Sequence, residues 1–209
     1  MTDQSIQKIY KIGNLFILGM KLQGYFLWKL ISGGIILGIF PALLGLYRLI
    51  YQYINDKNNR DIKILTEMRK SNKKEFWQIN GLGFLFLIGS GILFINLNIS
   101  RQYFQNGLYH LFLLMFLGLY LGASHFVIPI FAKYELPLKQ YIYQAFLFFL
   151  INILETIAII LGVTLSLMIC FLVPIVGFLT GIPLILTPYV WFSKAAVEKA
   201  EIVFYVEES

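Results

Sequence analysis

The chain has 209 residues, 58% of them apolar and only 13% charged, with a net charge of +6 and a mean hydropathy of +0.74. Soluble domains carry about 25% charged residues, so this sequence has too few charges to cover a water-facing surface. Its single cysteine, Cys170, excludes an intrachain disulfide and any multi-cysteine metal site.

These numbers predict an all-α, polytopic helical membrane protein with about five transmembrane helices and an N-terminal amphipathic helix. Residues 1–23 supply that helix. Ile6, Ile9, Tyr10, Phe16, Ile17 and Met20 fall mostly on one face, with Gln7, Lys8, Lys11 and Asn14 opposite. Lys21 interrupts the apolar core and no small-residue cleavage site follows, so a cleavable signal peptide is not expected. The bundle itself is expected over residues 24–193. Its first crossing runs over about 24–47, with bends at Gly33-Gly34 and at Phe40-Pro41.

A charged segment, residues 51–78, follows. Between Asn55 and Gln78 it holds seven Lys/Arg against four acids. Phosphate binding scales with the number of phosphates neutralised, and a net +3 interleaved with acids argues against nucleic acid. Retention of a cytoplasmic loop explains it better, with a protein-docking or anionic-lipid surface as the other reading. Part of it, Ile62 to Trp77, reads as a short surface helix.

Charge-free runs give the remaining spans. Asn80–Asn98 is nineteen residues long, about 28 Å of helix. Gly107–Phe131 carries only His110 and His125 as strongly polar members. Between Tyr141 and Phe192 the only charge is Glu155, which leaves room for spans at about 150–170 and 175–193. A turn at Val173–Gly177 is expected between them, because Pro174 cannot continue a hydrogen-bonded helix. Residues 194–209 form a tail.

Lys and Arg counts set the orientation. The 55–78 loop has seven, the 132–140 loop two and the tail two, against one in the 99–106 loop. A bacterial cell membrane with a cytoplasmic C-terminus is therefore expected. Tyr47, Tyr51, Trp77, Tyr134, Tyr189 and Trp191 would form the cytoplasmic aromatic belt. Five spans put Lys8 and Lys11 on the outer side, against the same rule. Residues 12–50 folded as a bent pair of half-helices would keep the N-terminus inside; five spans is the favoured count.

Catalytic and metal motifs are missing from the sequence: there is no HExxH, Walker loop, GxSxG or Cys-x-x-Cys. "GLGFLF" at Gly81 lacks the third glycine of a dinucleotide fingerprint. His110 and His125 stand about 22 Å apart along one helix, too far to share a metal. No enzyme, cofactor or metal is expected. Glu155 is an intramembrane carboxylate and hence a candidate functional residue; Lys139 is a possible partner. Gly34/Gly38, Gly118/Gly122 and Gly177/Gly181 are small-residue pairs one turn apart, suited to close helix packing.

Three stretches, "GIFPALLGLYRLI" at Gly38, "KKEFWQINGLGFL" at Lys73 and "FVIPIFAKYELPLKQYIYQAF" at Phe126, occur in this order. They resemble the YesL-like family of bacterial membrane proteins, a domain of unknown function, over roughly residues 10–195. Glu155 departs from the basic or neutral polar residue expected there. The resemblance implies association with carbohydrate uptake, since such proteins are often encoded beside sugar ABC importers and their sensor kinases. The expected role is a non-enzymatic accessory or assembly subunit whose partners are the bilayer and ABC permease subunits. A small stand-alone transporter or channel, or a membrane partner of a sensor kinase, are the alternatives. Candidate partner contacts are Lys73, Lys74, Phe76, Trp77, Tyr134, Glu135, Lys139 and Glu155.

Overall fold

The computed structural model describes residues 3–55, 64, 67, 72–104 and 107–207, all but a few of them helical. The elements are α1 (Asp3–Ser32), α2 (Ile39–Asn55), α3 (Lys73–Ile99), a π-helical turn (Ser100–Phe104), α4 (Gly107–Ser124), α5 (Val127–Lys133), α6 (Leu138–Ile151), α7 (Ile153–Leu172) and α8 (Pro174–Glu207). Four stretches are long and apolar enough to cross a membrane: Lys73–Gln102, Gly107–Lys133, Ile153–Leu172 and Pro174–Ala200. The protein is a multi-pass helical membrane protein. The chain divides into two compact units, Met1–Ser71 with Ala158–Trp191, and Asn72–Ile157 with Phe192–Ser209.

In the first unit the N-terminal region departs from expectation. The amphipathic helix does not stop near residue 23 but continues to Ser32, and the crossing expected at 24–47 is interrupted by a reversal. Ile35 N–H donates to Leu30 O at 2.9 Å and Gly34 N–H to Ile31 O at 3.0 Å. These are the two bonds of a Schellman helix end, with Gly34 in its left-handed position at φ 82°. Ile35 follows at φ 55°, a costly conformation for a β-branched residue. Gly33 and Gly38 let the backbones meet: a Cβ on Gly38 would run into the Leu30 carbonyl. Gly34 and Gly38, expected one turn apart on a packing face, instead build this turn.

α2 then returns along α1. Pro41 causes no bend, since it lies in the first turn of α2, where an N–H has no intrahelical acceptor. The hairpin closes with Tyr25, buried, lying over Gly45. The hairpin points the start of α1 and the end of α2 in the same direction, with α1 the longer arm at 30 residues against 17. That is the arrangement of paired half-helices, which under the positive-inside rule would keep Lys8 and Lys11 on the side of the 55–78 segment. Most of the short surface helix expected over Ile62–Trp77 lies outside the described residues, but Glu67 is buried and 3.7 Å from Arg48 on α2.

α1 also packs on α8. Gly19 faces Thr180, and Gln23 Oε1 accepts the Ile182 N–H at 3.1 Å, next to Pro183 inside the helix. Neighbouring side chains meet backbone groups in this way around prolines in spans. Tyr47 and Tyr189, expected in the aromatic belt, are buried and meet edge to face at 5.9 Å. The α7–α8 turn is a single residue, Val173, with Pro174 opening α8.

The second unit is built from α3, α4–α5 and α6. α4 runs back along α3, with Phe86 and Tyr120 rings 5.0 Å apart and Tyr120 donating to Leu85 O at 2.9 Å. The span expected at 107–131 is broken at Ser124–Phe126, where His125 Nδ1 and Ser124 Oγ both bond the Leu121 carbonyl. α5 turns into α6 through residues 134–137. Buried Tyr141 donates to Tyr134 O at 2.7 Å and accepts from Leu136 N at 3.0 Å, holding that loop from beneath.

Candidate functional site at a helix break

Asn152 separates α6 from α7. Its φ of −119° and ψ of 45° leave the helical region, yet it is wholly buried. Its N–H and its Nδ2 both donate to the Phe148 carbonyl at 3.0 Å, and its own carbonyl accepts from Thr156 N and Oγ1. With Nδ2 committed as donor, Oδ1 is left buried without a partner among the described residues. One turn on, Glu155 shares its two oxygens unequally. Oε1 accepts from Lys199 Nζ at 2.9 Å, whereas Oε2 is buried and unmatched. A buried acceptor without a donor costs roughly 1–3 kcal/mol, so two of them within one turn mark a place that can take hydrogen-bond donors.

Lys139 does not pair with Glu155. It is exposed on the first turn of α6, sixteen residues earlier in the chain. The final turns of α8 return beside the start of α7 and supply Lys199 instead. The pair is partly open to solvent, with side chains 20% and 47% exposed, and such pairs contribute about 0.2–1 kcal/mol.

The other sequence-chosen residues fall into two groups. Lys73, Lys74 and Trp77 on the first turn of α3 are exposed, with Phe76 edge-on to Trp77 at 5.6 Å. Glu135 and Lys139 are exposed and Tyr134 half-buried. α3 and α6 both run antiparallel to α4–α5, so these residues gather at one end of the second unit, while Glu155 belongs to the break. Of the glycines, Gly122 lies against the Phe149 ring and Gly177 is 3.1 Å, at its Cβ position, from the Cys170 carbonyl. Gly181 makes an ordinary contact with Cys170 Sγ, and Gly118 faces open space. Sequence reasoning missed Gly45 under Tyr25, Gly89 under Tyr120, Gln23 and Asn152. An aromatic ring over a glycine has no fixed spacing, and nothing local marks it. Among the described residues, no group of three or more His, Cys, Asp or Glu could hold a metal ion.

Comparison with known proteins names no activity. Residues 14–97 match the profile of a family described as a protein of unknown function, DUF624. That stretch covers most of α1, all of α2 and nearly all of α3. The chain is also 29% identical over 147 residues, 68% of each chain, to the uncharacterized protein YesV of Bacillus subtilis (strain 168). No solved structure matches. Over residues 14–97, its hairpin and first long span, the chain is thus similar to this family of unknown function, within the longer stretch over which its motifs show the resemblance.

Proposed function

We propose that the protein is a non-enzymatic accessory or assembly subunit of a bacterial membrane complex, with the permease subunits of a carbohydrate ABC importer as first expected partners. The observation that carries this is how little of the long helices the chain covers by itself. In the most apolar 18-residue stretch of Ile153–Leu172 17% of the residues are buried, and at most 33% in the corresponding stretch of any of the four. Lipid covers much of the remainder, but long uncovered faces are also what a helix-binding subunit presents. The contacts would be the α7 face and the Tyr134–Pro137 loop. The C-terminus and the 55–78 segment would face the cytoplasm of the cell membrane, by the positive-inside rule.

Purification of a tagged copy from its own host in mild detergent tests this. Stoichiometric membrane partners, permease subunits among them, are expected. Elution alone across several detergents, with solute flux in reconstituted vesicles, would instead establish a stand-alone transporter. That second reading has one observation in its favour: transporters place binding sites at broken helices, and Asn152 with Glu155 sits at one.

A further inference from the structure

We infer that one end of the second unit, built from Lys73, Lys74 and Lys139 with Trp77 and Tyr143, is a docking surface for the head groups of anionic phospholipids. These three lysines were expected from sequence to meet a protein partner. The surface follows from charge, depth and the absence of internal partners.

Of the acids at this end, Glu135 is exposed and forms no ion pair among the described residues, while elsewhere in the unit Glu155 is held by Lys199 and Glu198 lies 3.6 Å from Lys194. Lys133 and Glu75 have interactions of their own. Lys73, Lys74 and Lys139 are exposed and form no ion pair among the described residues. They also stand on the first turns of α3 and α6, where a positive charge opposes the helix dipole. A counter-charge from outside the protein would offset that cost.

Depth selects the lipid. The Phe86–Phe146 contact, rings 6.4 Å apart, sets the register of α3 against α6. Counting back at about 1.5 Å per residue, Lys139 lies level with residue 79, close to Trp77, and Lys73 and Lys74 project roughly one turn beyond. Trp77 is 62% and Tyr143 69% exposed. Exposed aromatics with lysines one turn further out match the interface of a bilayer, rings at head-group level and cations among the phosphates. Away from this end the unit carries Arg101 beyond α3 and Lys199, which is paired with Glu155. The inference stands independently of the accessory-subunit proposal.

The test measures association of spin-labelled phosphatidylglycerol relative to phosphatidylcholine with the whole protein in bilayers. The K73Q/K74Q/K139Q variant should lose selectivity for phosphatidylglycerol by about fivefold or more, the equivalent of one lysine's attraction to an anionic surface. K73R/K74R/K139R should keep it, as should R101Q, and sodium chloride should abolish it in the native protein. Unchanged selectivity in the glutamine variant, or an equal loss in R101Q, would overturn the inference. Displacement by inorganic phosphate beyond the effect of sodium chloride at equal ionic strength would show a free-anion site and overturn it too. Should the glutamine variant fail to fold, the arginine variant and the salt titration decide: salt-insensitive selectivity refutes the surface.

Discussion

Gly118 and Gly122 lie one turn apart on α4, and their spacing alone assigns both to a packed face. The structure separates them. A methyl group on Gly122 would occupy the space of the Phe149 ring, while one on Gly118 meets nothing within 4 Å. Overpacking in a close contact costs about 1–3 kcal/mol, and replacing helical glycine by alanine returns about 0.8–1 kcal/mol. Gly122→Ala should therefore lose up to about 2 kcal/mol and Gly118→Ala gain up to about 1, a difference of about 1–3 kcal/mol. For a chain of this size 1 kcal/mol corresponds to about 2–4 °C, so the two variants should differ by roughly 2–12 °C in midpoint. Thermal unfolding in mild detergent, followed with a thiol-reactive dye at the single cysteine Cys170, measures this directly. Phe149→Leu should restore part of the loss in Gly122→Ala and do nothing for Gly118→Ala. Equal destabilisation by the two alanines would refute the assignment of close contact to Gly122 alone.

Gln23→Leu removes the acceptor of the Ile182 N–H and should cost about 1–2 kcal/mol, given measured interhelical bonds averaging near 0.6 kcal/mol plus the cost of an unmatched donor; Gln23→Glu, which keeps an acceptor, should cost less in the same melt. Tyr141→Phe deletes both bonds to the Tyr134–Leu136 loop and should raise amide exchange at Leu136 at least tenfold while leaving helix content unchanged by circular dichroism. Lys199→Met, which strands the Glu155 carboxylate, should destabilise more than Glu155→Gln, and the exchanged pair E155K/K199E should recover most of the loss; the reverse order in thermal melts would show that the ion pair is not what holds these turns together. Reporter fusions at the N-terminus and after Ile64 should score on the same side of the membrane, whereas a continuous 24–47 span would put them on opposite sides.

The long spans were legible because each is a charge-free run bounded by polar residues: α3 and α8 contain the expected 80–98 and 175–193 segments, whereas the 107–131 and 150–170 segments are interrupted at Ser124–Phe126 and at Asn152. The start of the chain was not, because Gly33, Gly34 and Gly38 fit two structures. Small residues one turn apart describe a packing face, but a glycine in the left-handed position also ends a helix, and only the Leu30 and Ile31 carbonyls reveal which occurs. Nothing in the sequence set Asn152 apart as a helix break. An asparagine among apolar residues carries no local sign that its backbone will leave the helix. The choice of Lys199 over Lys139 as the partner of Glu155 depends on where α8 returns, a fact spread over 44 residues of chain. The role of the candidate site was least legible of all, since its unmatched oxygens exist only in three dimensions.

The reversal at Gly34 also has an electrical consequence. A cell membrane negative inside opposes the outward movement of each positive charge by about 2.3 kcal/mol per 100 mV. Were residues 24–47 a single crossing, Lys8 and Lys11 would have to be carried to the outer face, at about 5 kcal/mol per 100 mV before any dehydration is counted. By turning the chain back on itself, six residues between Ser32 and Ile39 spare the energised membrane that transfer. A hairpin inserted from the side of synthesis would leave both of its charged ends there.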